Sequence, residues 1–166
     1  MNIDKIEAIQ VILGVTPDGI FGPKSRAALD AILAPDVPAD VHHVMASSFA
    51  DPADVAAFKR CKAQGKTDEQ CFKVGDNGIG KWGDDTTADR PMCALPPEDW
   101  NPLGTAARGK KVIVECDGLI AVCELRDTMP HKANIKNGAG IDLNPAAWKA
   151  LGHTPPQMRA ATWQWA

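Results

Sequence analysis

Apolar positions recur at helical spacing near the start of the chain and at strand spacing further along it. Ile3, Ile6, Ile9 and Leu13 share one helical face, Asp4 and Glu7 form a capping-box-like start, and Gly14 ends the pattern. A loop, Val15 to Gly22, follows, and Pro23 at a first helical position opens a second helix that runs to Leu33. Two short helices bury little surface, so Ile20 and Phe21 of the loop are expected to complete their core. Residues 35–41 are rich in Pro and Asp and are read as a linker. This divides the chain into a small all-α module at 1–34 and a second domain at 42–166.

The second domain opens with a strand near His42 to Phe49. Asp51-Pro52 then starts a short helix with Val55 and Phe58 on one face. From Gly65 to Trp100 the chain is dense in Gly, Asp, Thr and Pro and reads mostly as loop. Lys111 to Cys116 and Leu119 to Leu125 are β-branched runs on either side of Asp117-Gly118, a hairpin signal. Asn144-Pro145 begins a capped helix ending at Gly152, and Met158 to Trp165 is a last strand. Several strands with only short helices, and no strand–helix alternation, predict a mainly β domain closed as a small barrel.

Composition narrows the partners. The net charge is −3 and spread along the chain, so no basic stripe exists to neutralise a row of phosphates, and nucleic acid is not an expected partner. No apolar run approaches the roughly 20 residues of a membrane span. The first residues alternate charge with aliphatics and lack the apolar core of a secretory signal. The five cysteines show no C-x-x-C pair and no His lies close to two of them, so no metal and no cofactor is expected. Cys61 and Cys71 bracket a polar loop that a disulfide can close. Cys116 and Cys123 flank the Asp117-Gly118 turn and can face each other across it. Five reduced, partly buried thiols are the alternative.

Two stretches carry family likeness. Leu13 to Leu29, with Asp18-Gly19-Ile20-Phe21-Gly22-Pro23-Lys24-Ser25 at its centre, resembles the type 1 peptidoglycan-binding module over about the first 34 residues. Physically the motif is mostly scaffold. Asp18-Gly19 makes a tight turn, Phe21 plugs the small core, and Gly22-Pro23 launches the helix. The resemblance implies wall binding.

The second stretch consists of Cys93-Ala94-Leu95-Pro96, Gly109 to Val114, Arg126 to Pro130, and Gly140-Ile141-Asp142-Leu143-Asn144-Pro145. In this order the segments resemble the six-stranded double-psi β-barrel of the rare lipoprotein A, expansin and barwin group. Thr128-Met129 departs from that group's usual Asp-Arg-Gly-Pro. The resemblance implies a peptidoglycan-directed protein acting in the periplasm or on the wall as a monomer. It would arrive by phage lysis, by effector delivery or after removal of a signal. Its first expected activity is glycan-strand cleavage as a lytic transglycosylase; a non-catalytic expansin-like binder and a muramidase-type hydrolase are the alternatives. Asp142 is the expected acid and then base, with Asp127 second. Asp142 as a mere cap for backbone N–H groups is the plainer reading. Trp82 and Trp100, placed in loops, would stack on sugar. His131, Asp84 and Asp85 are further substrate-binding candidates; solvated loop carboxylates are the plainer reading of the two aspartates, and an exposed bystander is the alternative for His131.

Overall fold

The computed structural model describes residues 3–26, 28 and 41–166. It divides into two compact units at Ala39/Asp40. The expected linker, all but Val41, and most of the second helix beyond Arg26 lie outside the described residues.

In the N-terminal unit, α1 spans Ile3–Ile12, and residues 23–26 are helical again. Among the described residues, the interior differs from the apolar core expected. Ile20 is 68% exposed and Phe21 is half-buried, whereas Gln10 is buried with Ser25. The two N–H groups of the Gln10 amide are shared among Asp18 Oδ1 (2.7 Å), the Ile20 carbonyl (3.0 Å) and Ser25 Oγ (3.0 Å). Its oxygen accepts from the Asp18 and Gly19 N–H groups at 3.1 and 3.0 Å. One long polar side chain therefore satisfies a loop that two short helices could not bury with apolar groups alone. This explains why Asp18 and Ser25 stand where they do.

The second unit is a closed six-stranded barrel. Its strands are β1 (His42–Ser48), β2 (Met92–Leu95), β3 (Lys111–Cys116), β4 (Leu119–Thr128), β5 (Ala139–Leu143) and β6 (Arg159–Trp165), ordered β1-β5-β2-β4-β3-β6. β1 with β5 and β2 with β4 run parallel; the other neighbours are antiparallel. Alternation puts Val112, Val114, Cys123, Leu125, Ile141 and Trp163 inside. The hairpin turns at Asp117 and Gly118, both with positive φ, as an Asp-Gly I′ turn requires. β4 runs three residues past its expected end, so Asp127 stands in a strand. β2 and β5 escaped the alternation reading. All four residues of β2 are buried, so it shows no polar face.

Helices pack outside and across one end. α2 (Pro52–Ala63), capped by Asp51, is longer than expected and buries Phe58, while Val55 is only partly buried. A disulfide, Cys61–Cys71, ties it to α3 (Asp68–Cys71). Cys116 and Cys123 do not pair. The register sets Cys116 opposite Leu119 and Cys123 opposite Val112, so their side chains lie four residues apart along the hairpin. α4 (Pro97–Trp100) follows β2, and α5 (Pro145–Ala150) follows β5, placing Trp148 in the barrel core.

Asn144 joins these parts. It is fully buried, and its Oδ1 accepts from the Ala147 N–H of α5 (3.0 Å) and the Met92 N–H of β2 (2.9 Å). Its Nδ2 donates to the carbonyls of Thr86 (3.1 Å) and Arg90 (2.9 Å). Asn144→Ala leaves several of these groups buried and unpaired, at about 1–3 kcal/mol each. Urea unfolding should show a loss of about 3 kcal/mol or more; a change under about 0.5 kcal/mol would mean the tie is unimportant.

Candidate functional site

β2 lies between β5 and β4, and Ala94 pairs with Asp142 on one side and Asp127 on the other. On the far side of Asp142, β1 contributes Ser47 to the same row. Neighbours in such a row face one way. Here they face outward, because Cys93, Leu95, Ile141 and Leu143 fill the interior. The two carboxylates therefore flank a methyl group, and their Cα atoms stand roughly 10 Å apart, twice the strand spacing. The register shift at Cys93/Ala94 sets this alignment; without it Asp127 would not sit opposite Ala94.

A third carboxylate completes the group, and the sequence reading missed it. Asp76 belongs to the stretch read only as loop. Gly75 and Gly80 bring that loop down onto its neighbours. A Cβ on Gly75 would lie 2.2 Å from the Asp54 carbonyl, and one on Gly80 would lie 2.2 Å from that of Arg126. The loop then gives its Lys81 N–H to Asp127 Oδ1 at 2.8 Å, and Thr128 N–H adds a second bond at 2.7 Å. Asp76 bonds the Gly78 N–H at 2.6 Å. The only early signal was Asp76-Asn77-Gly78 as turn chemistry.

The electrostatics follow from this crowding. Burial pushes Asp142 from 3.8 to about 6, the Asp127 and Asp76 charges add to it, and a hydrogen bond from the Ser47 hydroxyl opposes it. Burial also raises Asp127 to about 6, against its two backbone hydrogen bonds and with help from Asp76. Asp76 is raised mainly by burial. Asp54, on α2, reaches about 6 through burial and then Asp51. Burial, with these neighbouring charges, keeps protons on the carboxyl groups up to about pH 6, so the site can donate one in mildly acid conditions. Asp142 does not cap α5; Asn144 does.

The remaining candidates occupy different surroundings. Asp84 is held by Arg126 and Arg108, each at 3.1 Å, and the Arg108 hydrogen bond leads in lowering its pKa. This is a structural clamp, joined by Glu124 with Lys111 and Arg126. Asp85 bonds the backbone and hydroxyl of Thr87 and is exposed. Trp100, expected in a loop, ends α4 and is buried, with its indole N–H donating to the Leu95 carbonyl at 3.0 Å. Its ring face is therefore not available to sugar. Trp82 is half-buried, edge-on to Trp100 at 5.4 Å, and follows Lys81, whose N–H holds Asp127. His131 is exposed and bonds Glu98 at 3.1 Å. Thr128 and Met129 have structural partners: Thr128 Oγ1 accepts from the Trp100 indole, and Met129 packs with Ala94.

In the N-terminal unit, Asp18 and Gly19 are bound by Gln10, and the Gly22 N–H bonds the Ile20 carbonyl at 2.8 Å. Phe21 is half-buried beside them. A hollow of about 500 Å³ lies against this loop, lined by Asp18, Ile20, Gly22 and Lys24. Among the described residues, one group has metal-ligating geometry, Cys116 with Asp117 and His153, and it lies apart from the acidic row. No described helix is long and apolar enough to cross a membrane.

No protein-family model matches the chain, and no curated protein matches it. Among solved structures, it is similar to a Streptomyces papain inhibitor, at 20% identity and a TM-score of 0.46, over 79% of this chain and 99% of that one. It is also similar to the Clavibacter michiganensis expansin, at 16% identity and a TM-score of 0.48 for the apo form. A mutant of that expansin in complex with cellohexaose gives 14% and 0.46. Each expansin match covers 76% of this chain and 50% of the other, so the chain spans half the expansin's length. These are likenesses of fold alone.

Because the folded protein binds the Asp142 proton more tightly than the unfolded chain does, this group's stabilising contribution is complete below about pH 3.8. It is lost as pH rises through about 6. Asp142→Asn, neutral throughout, should therefore gain on wild type by about 2 kcal/mol between pH 4 and pH 7.5 in urea unfolding. An equal difference at both pH values would remove the raised pKa from the account.

Proposed function

We propose that this protein binds the glycan strands of bacterial peptidoglycan and loosens the wall, as an expansin-like binder. The observation that carries the reading is the outward row Asp127–Ala94–Asp142, with the half-buried Trp82 next in sequence to the residue that holds Asp127. Carboxylates accept hydrogen bonds from sugar hydroxyls, and an indole face packs against the C–H face of a pyranose. The N-terminal unit serves as the wall anchor, through its resemblance to a peptidoglycan-binding module and the hollow beside Asp18 and Gly22.

A second reading, cleavage, is favoured by one specific observation, the elevation of Asp142 to about 6. In a lytic transglycosylase the Asp142 proton would pass to the departing glycosidic oxygen. The sugar's own 6-hydroxyl would attack the anomeric carbon and give its proton back to Asp142. A muramidase-type hydrolase would instead direct water with Asp127 as the second carboxylate.

Incubation with purified peptidoglycan, followed by sedimentation and mass spectrometry of the soluble fraction, separates the readings. Binding without released muropeptides supports the binder, anhydro-muropeptides the transglycosylase, and reducing-end muropeptides the hydrolase. Failure to sediment with the wall contradicts all three. Trp82→Ala, checked for folding by thermal melting, should weaken sedimentation about tenfold, the equivalent of roughly 1.4 kcal/mol of stacking. Unchanged binding would exclude Trp82 from the contact.

A further inference from the structure

At the hairpin end of the barrel, three side chains from separate elements converge. Cys116 ends β3, Asp117 begins the β3–β4 turn, and His153 follows α5. Cys116 Sγ, an Asp117 carboxylate oxygen and a His153 ring nitrogen all lie within 4.8 Å of one another. Sequence spacing gave no hint of this, because His153 is brought in only by the path of α5. Gly152 lets the chain turn there, and the His153 N–H bonds the Trp148 carbonyl at 2.8 Å.

A second observation sets this group apart. His153 Nε2 is buried and has no hydrogen-bond partner among the described residues, although Asp117 Oδ2 is 3.2 Å away. A buried ring nitrogen left without a bond is open to an occupant, a water or an ion. The imidazole is also held in orientation, edge-on to Trp148 with ring centroids 5.9 Å apart. We propose that Cys116, Asp117 and His153 form a binding site for a borderline divalent cation, Zn²⁺ above all, with water completing the shell.

The donor set fits that class of ion: one sulfur, one imidazole nitrogen and one carboxylate oxygen are all zinc ligands, and the sulfur and nitrogen disfavour Ca²⁺ and Mg²⁺. In a tetrahedral shell, ligand atoms stand about 3.5 Å apart, so the group needs to close by about 1 Å. A turn tip can supply that movement. Arg159 is the competing charge, 2.9 Å from Asp117 Oδ2. Among the described residues no donor reaches Oδ1, which is left for the ion, and Arg159 keeps a second anchor on Gln157 Oε1 at 3.1 Å. Half-exposed Asp117 provides the way in, and the Cys116 thiol proton leaves to solvent as the ion binds.

The test is titration of the full chain, disulfide intact, with Co²⁺ and then Zn²⁺. The expected result is one Co²⁺ per chain, with a thiolate-to-cobalt band in the near ultraviolet that Zn²⁺ displaces. Cys116→Ser should abolish the band, and His153→Gln should weaken binding about a hundredfold. Zn²⁺ just sufficient to saturate wild type should raise its melting temperature by several degrees and have little effect on either variant. If Cys116→Ser does not fold, His153→Gln alone decides. Absence of the band in wild type, its survival in folded Cys116→Ser, or an unchanged Co²⁺ affinity in His153→Gln would overturn the site. The result is independent of peptidoglycan binding, which these variants should leave intact.

Discussion

The side chain of Asn144 holds the working surface of the barrel together. It caps α5, receives the first N–H of β2, and donates to the carbonyls of the segment that leads into β2. β2 is only four residues long, with few ladder bonds of its own to fix it between β5 and β4. Anchoring its start sets its register, and the register puts Ala94 opposite Asp142 and Asp127 together. A one-residue slip would turn Ala94 inward and put a core residue between the acids.

Charge is then sorted around that row. On one side, burial moves the carboxyls of Asp76, Asp127 and Asp142 up, with the Asp76 and Asp127 charges adding to Asp142, against hydroxyl and backbone N–H partners and the Lys81 charge on Asp127. Further along the same loop and strand, Asp84 and Glu124 meet Arg126, Arg108 and Lys111, and theirs move down. The two sets share β4, where Glu124 and Arg126 serve the clamp and Asp127 serves the row. The clamp fixes the loop that delivers Lys81 and Asp76, so paired charges position the unpaired ones. Carboxyls held above their ordinary range cost stability at neutral pH, which supports the ligand-binding role proposed for the row.

Much of this was legible in the sequence, for identifiable reasons. The Asp117-Gly118 hairpin, the Asn144-Pro145 cap and the Cys61–Cys71 bridge rest on local rules, and each stands where expected. The ordered motifs resembling a double-psi barrel led to the six-stranded fold and to Asp142 and Asp127. What escaped depends on long-range packing. Asp76 reaches the row only because Gly75 and Gly80 let their loop press on α2 and β4. Trp100 looked like a loop indole but is buried by α4, and Cys116 and Cys123 failed to meet because of strand register. In the N-terminal unit, an apolar pattern concealed that a glutamine organises the loop.

The central claim is that Asp142 lies in the field of Asp127 and Asp76, set by the row across Ala94. A ¹³C-carboxyl NMR titration of Asp142 reads this field directly. The account predicts a midpoint at about 6 in wild type, moving down when Asp127→Asn removes a neighbouring charge. A midpoint near the ordinary 3.8, or one that Asp127→Asn leaves in place, would contradict it.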